Sequence, residues 1–233
     1  MTGKLYGVGV GPGDPDLITR KAWRLIENVA VIAYPVLEDA RSFARRIATD
    51  AVQAGTKEIK ITIPMSVERA PAQAAYDQGA ADIADALRRG DDVVVLCEGD
   101  PFFYGSFMYL HARLQNEFEV EIVPGVSSVT ACAAAARLPL SARNEALTII
   151  PGPVEGSLLR ARIDAAEAVA VMKVGRHLEK IKKVVEDADL LDAAWYVEYA
   201  SLPEQRIMPL SEMNGNAPYF SMILISKEKD PWL

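Results

Sequence analysis

DVVVLCEGDPFFYGS (92–106) joins a continuous apolar run to a loop of glycine, aspartate, proline and aromatics. An apolar stretch without alternation is the pattern of a central parallel strand covered on both faces. A loop at the carboxyl end of such a strand is where open α/β sheets bind ligands. Gly99 gives backbone access there, Asp100 is a carboxylate able to accept hydrogen bonds, and Pro101 stiffens the turn. Phe102, Phe103 and Tyr104 supply apolar, stackable surface. The plain alternative stays open at this point: GDP is a common turn, and the aromatics could be core.

Outward from this strand, β-rich runs alternate with helical ones. Strands are expected at 5–10, 31–34, 58–64, 92–99, 120–125, 147–152, 168–175 and 193–200. Helices are expected at 16–29, near 40–53, 71–89, 104–117, 127–136, 155–165 and 177–188. Gly90 provides the stop after Arg89. The last strand, 219–226, follows a stretch rich in Pro, Asn and Gly (201–218) and no crossover helix, which predicts an antiparallel addition. The expected fold is α/β with two lobes, residues 1–120 with a mainly parallel sheet and 121–233 with a mixed one.

The 233 residues suit one or two domains and can bury a full core. Lys and Arg number 25 against 32 Asp and Glu, a net charge of −7. That balance argues against nonspecific nucleic-acid binding, which needs a basic footprint. Two distant cysteines, Cys97 and Cys132, exclude a disulfide framework or a cysteine-rich metal site and fit a reducing cytoplasm. The longest apolar run, Val129 to Ala136 with Thr130 inside it, is far short of the roughly 20 residues that span a bilayer. No metal, nucleic-acid or membrane partner is expected.

GVGVGPGDPD (7–16) places glycines between a strand and a helix, yet it is no dinucleotide fingerprint. G-x-G-x-x reaches Pro12 from Gly7 and Asp14 from Gly9, where the third glycine is required. Asp14 or Asp16 reads as a helix N-cap. PGVSS (124–128) lacks the second glycine of a nucleophile elbow, and Ser127 and Ser128 read most simply as caps. His111 and His177 read as structural, and Lys180, Lys182 and Lys183 as a solvated helix face.

Together these segments say more than any one of them. GVGVGPGDPDLIT (7–19), EGDPFFYGS (98–106), EIVPGVSSVTA (121–131), VMKVGR (171–176) and EYASLPEQR (198–206) resemble, in order and spacing, the tetrapyrrole methylases. The resemblance covers essentially the whole chain. Within the family, EGDPFFYGSFMYL (98–110) is similar to the branch that methylates the C(20) meso carbon of precorrin-2 in cobalamin synthesis. The uroporphyrinogen-III branch carries G-G-D-P-F-x-F-G-R-G, where this chain has Glu98 for the first Gly and Ser106 for the Arg.

The resemblance implies S-adenosylmethionine (SAM) held in a cleft between the lobes of a homodimer, with S-adenosylhomocysteine as product. It implies cofactor contacts from Pro12, Glu98, Gly99, Asp100, Phe103, Ser127, Ser128, Met172 and Ala200. Glu98 and Ala200 depart from common family residues, so backbone contacts are expected of them. The implied substrate carries many carboxylates, which makes Arg20, Arg41, Arg69, Arg137, Arg143 and Arg206 candidate forks. Tyr34, Tyr104 or water could take the proton lost in the reaction. The runner-up substrate is cobalt-factor II. A serine hydrolase on Ser127 or Ser128 and a noncatalytic SAM-binding regulator are the readings from other classes.

Overall fold

A computed structural model gives the structure of residues 1–37, 41–64 and 69–227. The chain divides into two units, Met1–Ser127 and Ser128–Leu233. Elements of the first are β1 (Leu5–Gly9), α1 (Arg20–Asn28), β2 (Val31–Leu37), α2 (Phe43–Ile47) and β3 (Lys57–Ile63). They continue with α3 (Arg69–Arg88), β4 (Val93–Cys97), α4 (Phe107–Leu114) and β5 (Val120–Val123). The five strands are all parallel, in the order β3-β2-β4-β1-β5.

All five residues of β4 are buried, as its continuous apolar run requires. Alternation sends Val93, Val95 and Cys97 into one core with α3 and α4. Val94 and Leu96 enter the other with α1 and α2. Each fully buried Val or Leu contributes about 1.5–3 kcal/mol. A charge at Val94 would therefore break the sheet at its centre.

The second unit holds α5 (Ser128–Ala136), β6 (Leu147–Pro151), α6 (Gly156–Asp164) and β7 (Ala168–Met172). It continues with α7 (Leu178–Glu186), β8 (Ala194–Glu198), β9 (Arg206–Pro209) and β10 (Ser221–Ser226). Its sheet is mixed, in the order β6-β7-β10-β8-β9. The terminal strand β10 is antiparallel to both β7 and β8, the direction expected, but it sits inside the sheet rather than at its edge.

Several boundaries differ from those the sequence suggests. β5 pairs with β1, so residues 121–127, expected with the second lobe, belong to the first unit. The helix expected at 16–29 is two pieces. Asp14 accepts from Asp16 N at 2.9 Å and caps a short 3-10 turn, Pro15–Leu17. Thr19, whose hydroxyl accepts from Ala22 N at 3.2 Å, caps α1. The helix expected near 40–53 is regular only over Phe43–Ile47, capped by Ser42, and residue 40 lies outside the described residues. The 201–218 stretch contains β9, paired antiparallel with β8. Two of the three lysines on α7 are not simply solvated. Lys180 Nζ donates to the carbonyls of Gly152 and Val154, and Lys182 Nζ donates to Met213 O at 2.6 Å.

Among the described residues no helix is long and apolar enough to cross a membrane.

Candidate functional site

β1 and β4 lie side by side, with Gly9 opposite Cys97, and their onward connections lead to helices on opposite faces of the sheet. This is a topological switch point, where the loops part and leave a crevice beyond the strand ends. Val8 opposite Val123 brings the end of β5 to the same level. Three loops thus emerge together, beginning at Val10, Glu98 and Pro124.

Backbone contact ties them to one another. Gly11 N donates to Gly99 O at 3.3 Å, and Gly99 N returns a hydrogen bond to Gly11 O at 2.8 Å. A Cβ on Gly125 would fall 2.0 Å from Gly99 O, and one on Gly9 would fall 2.5 Å from the same oxygen. Glycine is needed at both for space. At Gly99 it is needed for conformation, with φ +62°, while an added Cβ would meet only Val126 O, at 3.8 Å. The side of Gly99 that a side chain would occupy is therefore open.

Asp100 is the clasp of this junction. Its Oδ1 accepts from Phe102 N at 2.9 Å and Phe103 N at 3.1 Å, and its Oδ2 accepts from Gly125 N at 3.1 Å. The sequence marks Asp100 as an acceptor for a ligand. The structure spends three of its roughly four lone-pair positions on backbone amides. Pro12 follows the Gly11–Gly99 bridge, Phe103 packs edge-on against Tyr104 at 5.2 Å, and Ser127 follows Val126. So Pro12, Glu98, Gly99, Asp100, Phe103 and Ser127 gather beyond the carboxyl ends of β1, β4 and β5.

The remaining expected residues lie in the second unit. Ser128 is the first residue of α5, which packs on β8 and β10. Met172 ends β7 opposite Met222, and Ala200 follows β8 just past Glu198, which pairs with Ser221. β7 and β8 run the same way on either side of β10, so Met172 and Ala200 share one end of the sheet; both are buried.

Backbone strain marks the same places. Tyr104 (φ 56°) adjoins Phe103, Lys173 (φ 58°) adjoins Met172, and Tyr199 (φ 51°) and Ser201 (φ 68°) flank Ala200. Non-glycine residues in this region cost on the order of 1–3 kcal/mol each and collect at ligand sites.

One group the sequence does not single out anchors the strained turn at 199–201. Glu198, only 4% exposed, accepts from Tyr196 Oη at 2.5 Å and from Arg206 Nη1 at 2.8 Å. Burial and the Glu198 carboxylate together hold the Tyr196 hydroxyl above its ordinary range. The available signal was the shared parity of Tyr196 and Glu198 in a strand.

Other candidates resolve individually. Arg206 is engaged with Glu198, whereas Arg20, Arg41, Arg69 and Arg137 are exposed and make no ion pair with the described residues. Arg143 is also exposed. Tyr34 is no proton acceptor: its hydroxyl donates to Glu58 at 2.5 Å, and burial and that contact push it up to about 12. His111 packs edge-on against Phe102 at 5.1 Å. Burial, with Lys180 and Arg176, lowers the His177 imidazole. Burial raises both thiols, that of Cys132 to about 12 and that of Cys97 beyond the ordinary range.

These features can be set beside known proteins. The chain is 36% identical to a precorrin-2 C(20)-methyltransferase of Sinorhizobium sp., covering 98% of this chain and 97% of that one. It is 32% identical to a cobalt-precorrin-2 C(20)-methyltransferase of Salmonella typhimurium, covering 98% of each. It spans about half the length, 46%, of the cobalamin biosynthesis protein CobIJ of Mycobacterium tuberculosis, with 38% identity. The solved structure of a uroporphyrin-III C-methyl transferase from Thermus thermophilus, complexed with S-adenyl homocysteine, is similar with TM-score 0.70 and 25% identity. That likeness covers 95% of this chain and 97% of the other. Residues 4–214 match the family of tetrapyrrole (corrin/porphyrin) methylases. With both sheets, the glycine junction and the GDP loop in place along that length, the chain belongs to the tetrapyrrole methylase family.

Proposed function

We propose that this chain is a SAM-dependent C-methyltransferase that methylates the C(20) meso carbon of precorrin-2, giving precorrin-3A in cobalamin biosynthesis. The observation that carries the reading is the glycine junction of three loops at the switch point, with the open side of Gly99 facing a space a Cβ would fill. The near end-to-end likeness to two C(20)-methyltransferases supports the choice of carbon. The second reading, cobalt-factor II as substrate, is favoured by the relative that acts on cobalt-precorrin-2.

The cofactor contacts remain those the resemblance implies: Pro12, Glu98, Gly99, Asp100, Phe103 and Ser127 from the first unit, Ser128, Met172 and Ala200 from the second. When bound, SAM supplies a methyl group already activated by its sulfonium. The chain's own task is then positioning, because holding reactants in near-attack geometry can supply much of a barrier reduction. Gly99 keeps a side chain out of the cofactor space, and Asp100 fixes the loop that shapes it. Neither thiol is a nucleophile, since raised Cys97 and Cys132 stay protonated. Direct transfer to the substrate carbon follows. The protein acts as a cytoplasmic homodimer.

The test supplies metal-free precorrin-2 and its cobalt-loaded form side by side with SAM and reads the product by mass spectrometry. Gain of one methyl on the metal-free substrate is expected. Gain only on the cobalt form selects the second reading, and gain on neither ends both.

A binding prediction separates ligand space from backbone strain. Gly99→Ala should weaken S-adenosylhomocysteine binding more than tenfold by calorimetry, about 1.4 kcal/mol or more. Gly55→Ala, also at positive φ and with nothing within 4 Å of the added Cβ, should bind normally. Both pay about 1–2 kcal/mol in left-handed strain. Equal affinities in the two variants would show the loop to be only a turn.

A further inference from the structure

We propose that the Glu98 carboxylate accepts the proton that the methylated substrate carbon must shed. The inference rests on the methyl-transfer reading above and gives that site its base.

Glu98 follows Cys97 at the end of β4 and precedes Gly99, so the backbone bridge between Gly11 and Gly99 lies directly beside it. The residue is exposed, and its carboxylate has no hydrogen-bond or ion-pair partner among the described residues. Several other titratable groups near these loops are committed or unsuitable. Asp100 holds the amides of Phe102, Phe103 and Gly125. Tyr34 donates to Glu58, Cys97 stays protonated, and His111 packs against the Phe102 ring. Unlike Asp100, whose carboxylate clasps the loops, the Glu98 carboxylate holds no other described part of the first unit.

Protein crowded around one side of Glu98 pushes its carboxyl up to about 7, with no charged neighbour contributing, while the residue as a whole stays exposed. A base and its conjugate acid are then both populated near neutrality, the condition under which general acid–base catalysis works best. The step balances simply. The substrate carbon, bearing its new methyl and its original hydrogen, loses that hydrogen as a proton. The C–H electron pair returns to the conjugated macrocycle, an O–H bond forms on Glu98, and the proton passes on to water.

The same carboxyl should exchange the meso hydrogen without any methyl transfer. As the deuterated acid it delivers a deuteron to the electron-rich C(20), and as the carboxylate it then removes the original hydrogen. This provides a readout independent of turnover. In D2O with S-adenosylhomocysteine and precorrin-2, the parent protein should exchange the C(20) hydrogen. Glu98→Gln should slow that exchange and the methylation rate by roughly 10²–10⁴-fold, the usual contribution of a positioned base. Because the backbone contact is kept, its S-adenosylhomocysteine affinity by calorimetry should stay within about threefold of the parent, on the order of 0.7 kcal/mol. Glu98→Asp should recover part of both rates. If Glu98→Gln exchanges and methylates like the parent, the inference is overturned while the methyl-transfer reading stands. If the parent itself neither exchanges nor methylates precorrin-2, that reading fails and takes the inference with it. Slow exchange together with lost cofactor binding would assign Glu98 to binding and would also overturn the inference.

Discussion

Gly125→Ala should collapse the loop junction of the first unit and abolish S-adenosylhomocysteine binding. The added methyl would sit 2.0 Å from Gly99 O and 2.8 Å from the Cα of Gly9. All the obstructing atoms are backbone, so no side-chain rotation relieves the clash. Overpacking in a responsive core typically costs about 1–3 kcal/mol. Here the loops must separate, which also strains the Gly125 N–H bond to Asp100 and the paired bonds between Gly11 and Gly99. A loss above about 3 kcal/mol is expected, larger than overpacking usually costs. Hydrogen exchange read on peptides covering β1 and β4 should show lost protection at their carboxyl ends, while β7 and β10 exchange as in the parent. Unchanged protection and stability would mean that the three loops are not locked together.

This junction was only half legible in the sequence. The run at 92–99 announced its strand because burial on both faces removes polar alternation, and that property is local. The glycines of 7–13 and Gly99 were legible as permissive backbone. The need for Gly125 was not, since it arises from a contact with Gly99 in another loop. The clasp role of Asp100 escaped for the same reason: its partner Gly125 lies 25 residues away, and a carboxylate beside a glycine reads equally well as a ligand acceptor. β9 was missed because RIMP ends in Pro209 and follows a Pro-containing turn, a composition tolerated only on an edge strand, where it lies. The break before α1 was hidden because Leu17 and Ile18 continue the apolar spacing of Leu25 and Ile26 although the helix starts after Thr19. The lobe boundary slipped since a strand such as β5 carries no mark of the sheet it will join.

The second large effect is expected in the other unit, at Arg206. Glu198 is 4% exposed, and its two oxygens are divided between the Tyr196 hydroxyl and the Arg206 guanidinium. A buried ion pair adds little net stability when intact, because desolvation offsets attraction. Removing one partner is another matter, for it leaves an uncompensated charge and costs about 3–5 kcal/mol. Arg206 is itself 56% exposed, so water can partly replace it and the lower end of that range applies to Arg206→Met. Glu198→Gln combined with Arg206→Met removes the charge as well as its partner and leaves the Tyr196 hydroxyl an amide oxygen to bond. The double variant should therefore recover most of the loss, giving a coupling of about 2 kcal/mol in a double-mutant cycle, within the range for contacting residues. The consequence reaches past stability, because Glu198 immediately precedes the strained residues Tyr199 and Ser201 around Ala200. Strain of that kind persists only while neighbouring structure over-determines it. Arg206→Met should thus loosen the 199–201 turn, seen as faster amide exchange there, and weaken S-adenosylhomocysteine binding in parallel. If the turn relaxes in Arg206→Met but affinity is unchanged, Ala200 is not a cofactor contact. If the single variant is as stable as the double, the guanidinium is not neutralising Glu198.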